Sequence, residues 1–99
     1  MRIEYQHKLT SEEAYRRISH LLSDLQRKYA DKISDPQTRW NSEHTRMDYS
    51  MKIMGFSAEG QVTLQNGRVS LEGKIPFMAK MFSGKIEKMV REQLDDLLV

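Results

Sequence analysis

The chain is 99 residues long, enough for one small core and no second lobe. Charged residues make up 30% and apolar residues 38%. The 16 basic and 14 acidic residues leave a formal charge of only +2, which does not demand nucleic acid as a partner. The absence of cysteine excludes disulfides, thiolate metal sites and cysteine nucleophiles, so a reducing cytoplasm is the simplest home.

No apolar run approaches the ~18 residues of a membrane span, so no transmembrane segment is expected. The opening MRIEYQHK is charged and alternating, which reads as a half-buried strand with Ile3 and Tyr5 inward and not as a signal peptide. Thr10-Ser11-Glu12-Glu13 is a capping box, with Thr10 accepting from the third helical N–H while Glu13 reaches back. Ala14, Ile18, Leu21, Leu22, Leu25 and Tyr29 then trace one helical face, predicting a helix from about Ser11 to Ala30. Asp35-Pro36 stops any helix, because Pro36 pushes Asp35 out of the α region. A short strand carrying Trp40 follows, then a turn at Asn41-Ser42-Glu43-His44.

Met47, Tyr49, Met51 and Ile53 alternate with Arg46, Asp48, Ser50 and Lys52, the clearest strand in the chain. Gly55 marks a break or bulge. Val62 and Leu64 belong to the next strand. Asn66-Gly67 predicts a hairpin, and Val69, Leu71, Gly73 and Ile75 form the return strand up to Pro76. Phe82, Ile86, Met89, Val90, Leu94, Leu97 and Leu98 recur at helical spacing, predicting a C-terminal helix over about Ala79 to Leu98. Asp95 and Asp96 oppose its dipole, so that end should fray. The order strand, helix, four strands, helix gives an α+β fold in a single domain of residues 1–99. It is a five-stranded antiparallel sheet with two helices on one face. Ile18, Leu21, Leu25, Tyr49, Met51, Val62, Leu71, Ile86, Val90 and Leu94 are the expected core.

Few residues suggest chemistry. His7, His20 and His44 lack metal-ligand spacing, and no nucleophile-elbow or phosphate-cradling glycine loop occurs. The sequence therefore calls for no metal, cofactor or catalytic residue. If the protein were an enzyme, Asp48, Tyr49, Glu72 and His44 would be the groups to inspect for a position inside a cavity. The basic residues of both helices are interleaved with acids and read as solvated faces. Methionine is the unusual element: Met47, Met51, Met54, Met78, Met81 and Met89 fall in the later strands and the last helix. Met fills thin cores, and it also lines adaptable apolar surfaces.

The whole chain resembles the polyhydroxyalkanoic acid system family, small bacterial proteins encoded near polyester-granule genes. The resemblance rests on His7-Lys8-Leu9-Thr10-Ser11-Glu12-Glu13-Ala14, on Trp40 before a turn, and on Gly60-Gln61-Val62 with Val69 and Leu71. It is strongest over Ile75-Pro76-Phe77-Met78, Phe82-Ser83-Gly84-Lys85-Ile86-Glu87 and Leu94-Asp95-Asp96-Leu97-Leu98. It implies a minimal helix-grip fold, similar to START-type lipid-binding domains with fewer strands. It brings no catalytic residue.

The combined expectation is a non-enzymatic accessory protein of a polyhydroxyalkanoate system. It would bind an apolar partner: a polyester granule surface, an acyl chain or another protein. The expected groove lies between the C-terminal helix and the sheet, lined by Met47, Tyr49, Met51, Phe82, Ile86, Met89 and Val90. The alternatives are a small helix-grip enzyme of cyclase or hydratase type and a basic regulator binding nucleic acid. Trp40, Phe77 and Phe82 exceed what so small a core covers, so a weak homodimer or partner surface is expected at the sheet edge or around 77–82.

Overall fold

Apolar residues at alternate positions meet in register across one face of a single antiparallel sheet. The computed structural model describes residues 1–74 and 77–98, and of 77–79 the backbone alone. The strands are β1 (Arg2–Gln6), β2 (Ile33–Trp40), β3 (Arg46–Ile53), β4 (Phe56–Gln65) and β5 (Arg68–Lys74), in the order β1-β5-β4-β3-β2. The first strand thus closes beside the last, and the other four form the expected meander. Ile3, Leu71, Val62, Met47 and Trp40 share one cross-strand row, and the first four are buried. The neighbouring row, Arg2, Glu72, Gln61, Asp48 and Arg39, is exposed throughout because the pleat sends successive side chains to opposite faces.

The first helical segment is broken, where periodicity alone predicts one rod. α1 (Ser11–Ile18) and α2 (Leu21–Lys28) are separated at Ser19-His20. The Ser19 hydroxyl donates to the Tyr15 carbonyl at 2.8 Å, and the His20 N–H turns to Arg17 O at 3.1 Å, three residues back. Serine back-bonding of this kind bends helices. At the start of α1, Thr10 Oγ1 accepts from the Glu13 N–H at 3.2 Å. The other half of the capping box does not form, because the Glu13 carboxylate takes Arg16 and Arg17 instead.

Two connections are resolved by the backbone. Asp35-Pro36 does not delimit β2 but sits within it as a bulge, with the register shifting between Ser34 and Gln37. Asp35 adopts φ 53°, and an edge strand is where proline is tolerated. At Gly55 the expected break is present, as a turn and not a bulge: Met54 (φ 52°) and Gly55 (φ 84°) join the paired Ile53 and Phe56, both in the left-handed region such hairpins require. The Asn41 turn is as expected, its side-chain carbonyl accepting from Thr45 N (2.9 Å) and Arg46 N (3.0 Å). Asn66-Gly67 joins the paired Gln65 and Arg68.

After β5 the backbone forms a 3-10 helix, Phe77–Phe82, and then α3, Ser83–Leu98, so the α-helix begins four residues later than its apolar spacing predicts. The core between helices and sheet holds Ile18, Leu21, Leu25, Val62, Leu71, Ile86 and Leu94. Tyr49, Met51 and Val90, also expected there, are half-buried and pack against it. The expectations that rest on Ile75, Pro76 and the side chains of Phe77 and Met78 lie outside the described residues.

Candidate functional site

β3 places Tyr49 and Met51 on the inner face, and α3 sets Ile86, Met89 and Val90 above them. These five line an apolar cavity of about 50 Å³. Leu21, Leu22 and Leu25 of α2 close one side, Ala58 and Gly73 form part of the floor with core residues of all five strands, and Met1, Glu59 and Lys74 also contribute to the lining. A site for a drug-sized ligand measures about 300 Å³ or more. The observed space falls far short of that.

The floor is shaped by one ring. Tyr49 pairs with Gly60, which pairs with Gly73, and the ring lies over both. A Cβ on Gly60 would meet the Tyr49 hydroxyl at 2.6 Å and overlap the Glu72 carbonyl; one on Gly73 would meet the hydroxyl at 2.7 Å. The hydroxyl donates to Glu72 O at 3.2 Å. Burial pushes the phenol pKa up to about 12, because the charged form loses hydration. At neutral pH Tyr49 is therefore a satisfied, neutral donor.

The sequence-predicted groove is brought together in part. Tyr49, Met51, Ile86, Met89 and Val90 surround the cavity. Met47 does not reach it; it is wholly buried in the row with Val62 and Trp40. Phe82 packs against the core from the 3-10 helix and lies outside the lining. Sequence reasoning missed the α2 leucines and the small floor residues. The signal was present in Ala58, Gly60 and Gly73, which leave room on one face of adjacent strands.

Of the groups an enzyme would have used, Asp48 and Glu72 stand exposed on the opposite, charged face. His44 is exposed and stacks on Tyr15 with ring centres 4.1 Å apart. Among the described residues no three of His, Asp and Glu gather closely enough to hold a metal ion.

α3 is fastened at its far end. Tyr5 donates to Asp95 at 2.5 Å, Arg17 donates to the Leu97 carbonyl at 3.0 Å, and Arg91 donates to the Glu4 carbonyl at 3.4 Å. The fraying expected at Asp95-Asp96 is thus opposed: a phenol takes one carboxylate, and a guanidinium caps a last-turn carbonyl that no backbone N–H can reach. The described polar ties between α3 and other elements all fall at Arg91 or beyond. The cavity lies under the half of α3 that precedes them.

Among the described residues no helix is long and apolar enough to cross a membrane. No curated protein and no solved structure matches the chain significantly. A family model does, over residues 1–98, and by that match the chain belongs to the family described as "Putative polyhydroxyalkanoic acid system protein".

Proposed function

We propose that this chain is a non-enzymatic accessory protein of a polyhydroxyalkanoate system that binds an apolar partner between α3 and the sheet. It acts as a single cytoplasmic domain and takes an acyl chain from the polymer or its precursors. Tyr49, Met51, Ile86, Met89 and Val90 supply the contact surface, while Met47 and Phe82 support it from below and from the side. The observation that carries this reading is the apolar cavity beneath the half of α3 that precedes the described ties of Arg91, Asp95 and Leu97. Its closed volume of about 50 Å³ is too small for an acyl chain, so binding requires the first turns of α3 to lift. Met51 and Met89 suit such a site, because unbranched thioether side chains repack around a flexible guest at little cost.

Titration of the labelled protein with octanoate, followed by amide NMR, tests the proposal. Shifts concentrated at Tyr49–Met51, Leu21–Leu25 and Phe82–Val90 are expected. No shift at millimolar octanoate, or shifts only at the helix arginines, overturns it.

A further inference from the structure

Among the described residues, two large apolar side chains are exposed: Met81, at 80%, and Met1, at 39%. Both lie at one end of the molecule. The Met1 backbone pairs with Gly73 at the end of β5, and Met1 shares an open groove with Lys80 and Ser83. Met81 stands in the 3-10 helix between them. Between residues 74 and 88 the sequence carries Lys74, Lys80, Lys85 and Lys88 and one acid, Glu87; Glu87 is taken by Arg91, and Lys74 lies opposite Glu59 of β4. All four lysines are exposed. Among the described residues Lys74, Lys85 and Lys88 form no ion pair.

This charge placement works against the helix it decorates. α3 has no acid in its first turn and no base in its last. Lys85 and Lys88 lie near the positive end of the dipole and Asp95 and Asp96 near the negative end, the reverse of what stabilises a helix. The helix dipole does not account for Lys85 and Lys88. An external anion does, and the exposed Met81 beside them asks for apolar contact in the same place. An exposed apolar side chain in a short helical turn, followed in sequence by exposed lysines, matches the interfacial zone of a lipid layer, which offers acyl carbon below and negative headgroups above.

We propose that the 3-10 helix and the start of α3 dock this protein on a lipid surface carrying anionic headgroups, with Met81 inserted among the acyl chains and Lys80, Lys85 and Lys88 at headgroup level. This goes beyond the apolar groove and does not require the groove to be filled.

Co-sedimentation of the whole protein with two kinds of vesicle tests it: phosphatidylcholine alone, and phosphatidylcholine mixed with phosphatidylglycerol. Binding is expected to the mixed vesicles only, and it should fall as salt is raised toward about 1 M, where charges are screened beyond about 3 Å. Met81→Asp should lower partitioning about tenfold or more, and Lys85→Gln and Lys88→Gln about fivefold each. An unchanged denaturant midpoint identifies these as surface effects. Arg16→Gln, on the exposed side of α1, should bind as the parent does. Equal binding to both vesicles, no binding to either, or an unaltered Met81→Asp overturns the proposal. So does a dimer, seen by sedimentation velocity, that Met81→Asp dissociates while no vesicle is bound. Anionic-vesicle binding together with a silent octanoate titration would reject the groove and keep the docking surface.

Discussion

The Tyr49 hydroxyl occupies the space that a side chain at Gly73 would need, 2.7 Å from the position of its Cβ. Tyrosine and glycine on non-adjacent strands, β3 and β5, are therefore one packing unit, with the ring spanning the strand between them. Cross-strand aromatics that cover glycines in this way also help to pin register.

Gly73→Ala should destabilise the protein by ~1–3 kcal/mol, the usual penalty for overfilling a packed site. In a Tyr49→Phe background the same change should cost much less, because the next ring atom lies 3.9 Å away, an ordinary contact. Gly60→Ala should not be rescued by Tyr49→Phe, because its Cβ also overlaps the Glu72 backbone carbonyl. Urea denaturation of the single and double variants measures the coupling.

Tyr49 should titrate apart from an ordinary phenol. Its folded pKa of about 12 lies above the usual 10.0, so the unfolded state releases its proton first. The stability contribution is complete below pH 10 and is lost as pH rises from there through about 12. Ultraviolet titration of the wild type and Tyr49→Phe should differ by one late-ionising phenol. A difference already complete near pH 10 would contradict the burial.

His7 should weaken the fold in mild acid. Its Nδ1 accepts from the Leu9 N–H at 3.1 Å, Nε2 is buried with no hydrogen-bond partner among the described residues, and desolvation lowers the pKa below 6.5. The unfolded state thus binds the proton first. Stability is full above about pH 6.5 and declines as pH falls from there through the lower folded value. His7→Asn keeps a side-chain acceptor for Leu9 and removes the titrating ring. Its midpoint should vary less than that of the wild type across this acid window.

Leu21→Ala should cost ~2–5 kcal/mol, a large share of a small domain's stability. Leu21 is fully buried at the first turn of α2, against the cavity. Ile86→Ala, across the cavity on α3, should cost a similar amount. Chemical denaturation midpoints unchanged in both variants would contradict this packing.

The strands were legible because alternation, turns and charge agree from Arg46 to Leu71. Met47 shows the limit of that reading. Its spacing matches Tyr49 and Met51, but only the strand pairing reveals that it lies between Trp40 and Val62 while the other two face the cavity. The break at Ser19-His20 was hidden for a different reason: a serine hydroxyl competing for a backbone carbonyl leaves hydrophobic periodicity untouched. The stability of the α3 end escaped for a third. The Tyr5–Asp95 and Arg17–Leu97 bonds join residues far apart in sequence, so the two aspartates read as a dipole penalty without their partners.

The bulge at Asp35-Pro36 and the Arg91 bond to the Glu4 carbonyl sit on the two outermost strands, β2 and β1. Proline has no N–H to offer a neighbouring chain, and the bulge twists β2 out of line. On the other margin a guanidinium already occupies a carbonyl that an added strand would seek. Both margins are thus guarded against templated strand addition, the route by which sheets swap domains or grow fibrils. Self-association of this protein must therefore run through side chains, and at high concentration the folded form should stay free of amyloid-type assembly.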